Sequence, residues 1–329
     1  MWSTRLSRLF GVRLPIFAGG LMWLSDARYV AAVVRAGGMA FMTPRSFACD
    51  AEYERQLKLC SQLCDGQPFG VNLTASQRSS ANMALRRQLD MALDAGVRHF
   101  ETVGPACLEC FDRIQEANGV LIHKVGFVEH AIKAEQHGAD AVAIVGMEAG
   151  GHPGMHEQSA FLSCAYALEA LSVPLALGGG IGHGRQIAAL LALGCDGVVI
   201  GTRLLACDEI SSHATVKARV VQSNQYDSVQ VLRSVKHPWR VLHNETAKQV
   251  LGLEAQGVTD YEGFGELIRG TLGKSAAYDA GDADTGLLSL GQSVGFVRQR
   301  EPVAATIAQL VQETERRWHE QFCQNSDCP

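Results

Sequence analysis

The sequence predicts an α/β protein, a TIM (β/α)8 barrel carrying a smaller, mostly helical inserted domain. Eight short apolar runs bounded by turn signals recur between Leu14 and Ile200, and each is separated from the next by a segment long enough for a helix. The chain has 329 residues, more than one core usually holds unless that core is a closed α/β barrel, which commonly runs to about 250 residues.

The runs are 14–18, 39–42, 69–73, 97–102, 120–125, 141–145, 174–177 and 197–200. Nearly continuous apolar strands imply a parallel sheet covered by helices, and a count of eight favours closure over an open sheet. Helical patterns fall at 26–36, 51–63, 81–95, 128–137, 160–171 and 184–193, and several end in a glycine suited to a C-cap, as at Gly96, Gly138 and Gly194. An open, doubly wound sheet is the alternative. It would place G-x-G-x-x-G after its first strand, and Phe17-Ala18-Gly19-Gly20-Leu21-Met22 does not supply that motif.

Beyond the eighth run the pattern changes. Residues 208–291 read as mostly helical, with polar turns and no further apolar strand, and are expected to form a substrate or lid insertion. Residues 1–207 and 292–329 are expected to form the barrel, its closing helix marked by the periodicity of Val303, Ile307, Leu310 and Val311.

Composition narrows the function. A hydrophobic share of 47%, 19% charged residues and 34 glycines describe a compact protein with buried strands and tight loops. A net charge of −5 gives no steering toward nucleic acid or anionic lipid. The N-terminal stretch carries Arg5, Arg8 and Arg13 without the apolar core of a signal peptide, and no stretch has the length of a membrane span, so a cytoplasmic location is expected. Of ten cysteines, Cys60 with Cys64 and Cys107 with Cys110 have spacings that could hold metal. The first pair falls at i, i+4 in a helical pattern and the two pairs lie far apart, so no metal is expected. The other six are scattered, as small apolar residues in a reducing compartment would be.

Loops after the strands of such a barrel converge on one face. The residues there are Gly19 to Met22, Thr43, Asn72 and Thr74, Glu101 and Thr102, Lys124, Gly146 to Gly154, Gly178 to Gly180, and Gly201 to Arg203. Glycines after the seventh and eighth strands let backbone N–H groups approach an anion, and the helix starting near Gly182 adds its positive end, which makes a phosphate cradle. A tight turn is the plainer reading of Gly178 to Gly182, and sugar phosphates use this corner as well as FMN. In the sixth loop His152 stands among glycines that remove bulk around it, a setting suited to proton transfer near neutral pH, although a lone loop histidine is as readily a surface residue. Lys124 at a strand end calls for an anionic partner such as a reduced flavin ring. His183 is left without a role. Neither a nucleophile elbow nor H-E-x-x-H occurs.

At these residues the chain resembles the nitronate monooxygenase family over essentially its whole length. The matching segments are Pro15 to Met22, Arg35 to Gly38, Phe69 to Leu73, Gly146 to Gly154, Gly178 to Ile181 with Gly184-Arg185, and Gly201 to Arg203. Ile122 to Lys124, His130 to Glu135 and Gly281 to Gly286 look closest to the branch similar to NADH:quinone reductases, and FMN-dependent enoyl-ACP reductases share the scaffold. The resemblance implies a non-covalent FMN whose phosphate lies against Gly179, Gly180, Gly201 and Thr202, with Asn72 and Lys124 near the isoalloxazine. Gly20, Leu21, Met22, Gly150 and Gly151 complete the expected cofactor-binding set, and His152 is the expected catalytic residue. Two departures bear on substrate fit: Met39-Ala40 follows Gly38 where the family usually has Leu-Gly, and His183 stands where an acidic residue or alanine is more usual.

The resemblance implies oxidation of alkyl nitronates with dioxygen. The alternative is reduction of a quinone or an enoyl thioester by NADH or NADPH through FMN, and an alternative of another class is a flavin-binding accessory protein without turnover. The expected partner is a small-molecule substrate, not nucleic acid or membrane, with a homodimer left open.

Overall fold

The computed structural model describes residues 2–75 and 79–323. Eight parallel strands form a closed barrel in chain order: β1 (Ile16–Ala18), β2 (Met39–Met42), β3 (Gly70–Thr74), β4 (His99–Val103), β5 (Val120–Val125), β6 (Ala141–Val145), β7 (Leu175–Gly178) and β8 (Gly197–Ile200). Closure is made by β8 pairing in parallel with β1, Val199 opposite Phe17. The TIM barrel expected from the runs is therefore the observed fold, and the bounds of β2, β5, β6 and β8 coincide with the expected ones.

Strand periodicity decides which side chains meet inside the barrel. Phe17, Met39, Phe41, Ile122, Ala141, Ala143 and Ala176 form one inner cluster, while Val71, Phe100, Leu121, Val142, Leu177 and Val198 belong to the layer between strands and helices. The mouth at the strands' N-terminal ends is stoppered by α1 (Arg5–Leu9), a helix that the apolar runs do not reveal. Leu6 and Phe10 join the inner cluster, the Phe10 ring edge-on to Phe17 at 5.0 Å and to Phe41 at 6.3 Å.

The outer ring contains α2 (Ala27–Arg35), α3 (Asp50–Cys64), α4 (Ser79–Asp94), α5 (Leu108–Glu116), α6 (Val128–Gln136), α7 (Ala160–Ala170) and α8 (Gly184–Leu193). Six of these seven match the helical patterns. The nine-residue α5 escapes them because only Cys110, Phe111 and Ile114 face the core. The C-terminal helix Val303–Trp318 packs on α8 and α2. Its approach to α8 requires Gly184: a Cβ there would lie 2.4 Å from the Thr314 nitrogen.

The segment expected to be helical holds α9 (Ala214–Gln222) and α10 (Glu245–Ala255), but it also contains an antiparallel hairpin. Strands β9 (Ser228–Val231) and β10 (Trp239–Leu242) pair with Trp239 opposite Val231 and Leu242 opposite Ser228. The expectation of no further strand is thus corrected. A search for continuous apolar runs finds strands buried on both faces, whereas Ser-Val-Gln-Val alternates and has the signature of an antiparallel strand buried on one. Among the described residues, no helix is long and apolar enough to cross a membrane.

Candidate active site

The upper layer of the barrel interior is polar. Parity along β3, β4 and β5 turns Asn72, Glu101 and Lys124 inward above Gly70, His99 and Ile122. Lys124 Nζ lies 3.0 Å from Glu101 Oε1, with the Glu101 side chain 1% exposed and that of Lys124 16% exposed. The other carboxylate oxygen accepts from the Gly20 amide at 2.9 Å and from Asn72 Nδ2. Asn72 Oδ1 accepts from Thr74 Oγ1 at 3.2 Å. The anionic partner expected of Lys124 is therefore Glu101, a residue of this chain, and not necessarily a flavin ring. Four strand ends meet here, because β1 delivers Gly19 into the same knot: a Cβ on Gly19 would sit 3.0 Å from both Glu101 Oε1 and Lys124 Nζ.

Gly20 is required by its neighbours. A Cβ would lie 2.5 Å from the Asn72 side chain and 2.8 Å from Thr43 Oγ1. That Thr43 hydroxyl is buried and has no hydrogen-bond partner among the described residues. Leu21 donates its amide to Ser25 Oγ at 2.7 Å and reaches the eighth loop, 3.5 Å from where a Cβ on Gly201 would stand. Met22 is exposed.

Beside this knot the seventh and eighth loops present backbone donors. Gly179 and Gly180 have φ of +102° and +70°, a left-handed pair that turns successive amides to one side. Among the described residues, the N–H groups of Gly179, Gly180, Ile181, Gly201, Thr202 and Arg203 donate to no protein acceptor. By contrast, the Gly182 and His183 amides are capped by Gln186 Oε1 at 2.9 and 3.1 Å. His183 itself caps α8 through the Arg185 amide, and its Nδ1 lies 3.2 Å from Glu313 Oε2. This residue is thereby explained as a helix cap. Free amides on two adjacent loops and an orphan hydroxyl over a buried ion pair fit a phosphorylated planar cofactor such as FMN.

The sixth loop forms the opposite wall. Gly151 bridges Arg240 of β10 through both backbone bonds, at 3.0 and 2.7 Å, while Arg240 Nε donates to the Met147 carbonyl at 2.9 Å. Gly150 is enclosed by protein, since a Cβ there would lie 2.7 Å from the Gly291 nitrogen, whereas nothing lies within 4 Å of one on Gly151. The Gly291 amide donates to Thr202 Oγ1 at 2.9 Å, tying the chain returning from the hairpin segment to the eighth loop. The His152 ring stacks on Trp239, centroids 5.0 Å apart, and lies 4.4 Å from the His237 ring. Trp239 is fixed in turn by its indole bond to Ser289 Oγ at 2.8 Å. Surrounding protein, and secondarily His237, push the His152 pKa down, to about 3. His152 is nonetheless exposed, which limits the displacement without reversing it, so the imidazole is neutral at pH 7.

The structure thus brings Gly20, Asn72 and Lys124 into one knot, sets Leu21 against the eighth loop, and lines up Gly179, Gly180, Gly201 and Thr202. Gly150 packs against Gly291. Glu101, Trp239, His237 and Arg240 are the residues that sequence reasoning did not assign. Glu101 shares parity with Lys124 on adjoining strands and could have been paired with it. The other three belong to a hairpin whose existence was not foreseen.

The closed barrel, with free amides on its seventh and eighth loops and a buried carboxylate–ammonium pair at its strand ends, has the architecture of an α/β-barrel enzyme. The family model described as nitronate monooxygenase matches residues 3–313, and the chain belongs to that family of flavin-dependent oxidoreductases. Its relatives include the (3aS,4S,5R,7aS)-5-hydroxy-7a-methyl-1-oxo-octahydro-1H-indene-4-carboxyl-CoA dehydrogenase of Mycobacterium tuberculosis, 30% identical over 77% of this chain and 70% of that protein. A probable nitronate monooxygenase of Staphylococcus saprophyticus is 26% identical over 90% of this chain and 93% of its own length. Among solved structures, FabK from Thermotoga maritima superposes with a TM-score of 0.86 at 27% identity, covering 97% of this chain and 98% of that one.

Proposed function

We propose that the protein is an FMN-dependent nitronate monooxygenase, oxidising small alkyl nitronates with dioxygen. The observation that carries this reading is the row of unpaired amides on the seventh and eighth loops, at the same end of the barrel as the Lys124–Glu101 pair and the sixth-loop His152. Gly179, Gly180, Gly201 and Thr202 would hold the phosphate, and Gly20, Leu21, Met22 and Gly151 would border the ring. When bound, FMN would supply an electron acceptor able to return electrons to dioxygen.

The residues of the chain then have distinct tasks. Glu101 holds Lys124 by charge and Asn72 by hydrogen bond, so the ammonium and the carboxamide have fixed positions at the strand ends. A neutral His152 suits donation of its ring N–H to a nitronate oxygen, whereas its lowered pKa makes it a weak base toward the proton α to the nitro group of a neutral nitroalkane. Its lowered pKa disfavours a role as a standing cation. Trp239 and His237 fix the imidazole plane, and residues 208–291 would cover the substrate.

A second reading, redox chemistry on an acyl thioester, is favoured by the CoA-ester dehydrogenase, whose 30% identity exceeds the 26% of the probable nitronate monooxygenase. Both readings use one cleft, and in the second NADH or NADPH serves as the reductant when the thioester is reduced. Anaerobic mixing of the flavin-loaded protein separates them. Bleaching by propionate-3-nitronate, followed by nitrite release with air, supports the first. Bleaching by NADH or NADPH with reoxidation by an enoyl thioester, and none by nitronate, replaces it with the second. No bleaching by any donor makes the protein a flavin-binding accessory.

A further inference from the structure

Cys107 and Cys110 are joined by a disulfide, their Cα atoms 5.2 Å apart. They bracket the first turn of α5, with Cys107 at its N-cap and Cys110 as its third residue. The two sulfurs have different surroundings: Cys107 is half-buried, whereas Cys110 is 1% exposed and packs with Phe111 and Ile114 in the main core. Pairing is not a general property of the chain's thiols, since Cys49, Cys60, Cys64, Cys164, Cys195 and Cys207 are free, Cys60 and Cys64 with their sulfurs 3.8 Å apart.

We propose that Cys107–Cys110 is a thiol–disulfide exchange site for low-molecular-weight thiols, with Cys107 the exchanging sulfur and Cys110 the resolving one. The Cys110 amide donates to the Cys107 carbonyl at 2.9 Å, which leaves the Leu108 and Glu109 amides at the start of α5 to stabilise a Cys107 thiolate, and a C-x-x-C spacing there allows ring closure within one turn. The acidic residue of that turn, Glu109, is paired with Arg86 Nη2 at 2.5 Å, which offsets its opposition to a second negative charge. Access is one-sided, so the incoming sulfur meets Cys107 first.

In the oxidising direction the Cys107 thiolate attacks a low-molecular-weight disulfide, one sulfur–sulfur bond forms as another breaks, and one thiol leaves. Cys110 then attacks the Cys107 sulfur of the mixed disulfide and expels the second thiol. Two electrons and two protons pass from the dithiol to the small disulfide, giving two small thiols. Reduction is the reverse, opened by attack at Cys107. The site lies in the loop after β4, and its chemistry does not depend on the flavin reading.

Full-length protein equilibrated under nitrogen with fixed ratios of reduced and oxidised glutathione, then acid-quenched, alkylated and peptide-mapped, tests the proposal. Cys107 and Cys110 should convert together as one two-electron transition. Cys110→Ser should accumulate glutathione on Cys107, while Cys107→Ser should acquire it on Cys110 about tenfold more slowly or less. A pair alkylated at every ratio, a disulfide that withstands reduced glutathione in the folded protein, or equal adduct rates would overturn it. Should either serine variant fail to fold, brief alkylation of the reduced wild type decides: Cys107 labelled ahead of Cys110 supports the assignment, and the opposite order removes it.

Discussion

Lys124 Nζ and Glu101 Oε1 stand 3.0 Å apart at the top of the barrel interior, each on a neighbouring strand and each the only charge the other meets at hydrogen-bond distance among the described residues. Burying either alone leaves an uncompensated charge, so a single removal is costly where loss of both is tolerated. Lys124→Met and Glu101→Leu should each lower unfolding free energy by about 3 kcal/mol, and the double variant should recover a large part of it. Urea unfolding of the four proteins checks this. Additive losses would mean that the pair is not coupled.

The same knot separates what was readable from what was not. The eight runs gave the barrel because a parallel strand, buried on both faces, leaves an unbroken apolar trace. Asn72, Lys124 and the glycine corners were legible because strand ends of a barrel share one face. Glu101 was in view on that face and went without a role, since a linear scan does not register that residues on β4 and β5 are side by side. The hairpin carrying Trp239 and Arg240 leaves no such trace: β9 alternates polar with apolar, and Arg240 interrupts the apolar residues of β10.

Gly201 provides a test of ligand approach with little steric disturbance. A Cβ there would meet only Leu21 Cδ2 at 3.5 Å, an ordinary contact, although its φ of −135° and ψ of −73° fall outside the regions that side chains favour. Gly201→Ala should therefore lose about 1 kcal/mol of stability and bind FMN on the order of tenfold more weakly, as urea unfolding and flavin fluorescence titration would report. Gly179→Ala is the contrasting case: with φ +102° and a Cβ 3.0 Å from the Gly146 nitrogen it should lose more stability than Gly201→Ala. Unchanged FMN affinity in Gly201→Ala would move the phosphate away from this loop.

For His152 the expectation is a separation of binding from chemistry. His152→Ala removes an imidazole stacked on Trp239 but none of the backbone donors, so FMN should be retained while turnover falls on the order of 100-fold. Because its pKa is lowered, the rate should show no inflection at the ordinary histidine value near 6.5 that disappears with His152→Ala. Stopped-flow bleaching across pH resolves both points, and an inflection lost with the imidazole would assign His152 a normal basicity.

Acid should weaken the fold through His123, which lies outside the barrel interior on β5 with its Nδ1 2.7 Å from Thr102 Oγ1. Burial, and to a lesser degree the nearby charge of His130, push its pKa down to about 4 from 6.5. The unfolded chain therefore takes up this proton first as pH falls. Stability is fully present above pH 6.5, declines between 6.5 and about 4, and levels off below, a loss of at most about 3 kcal/mol from this residue. His99, also lowered by burial to about 4, acts in the same window. Urea midpoints measured at intervals across that range should fall with pH, and His123→Gln should flatten the slope, since glutamine can still bond Thr102 but does not titrate. A slope unchanged by that substitution would place the acid sensitivity elsewhere, with His99→Gln the next variant to examine.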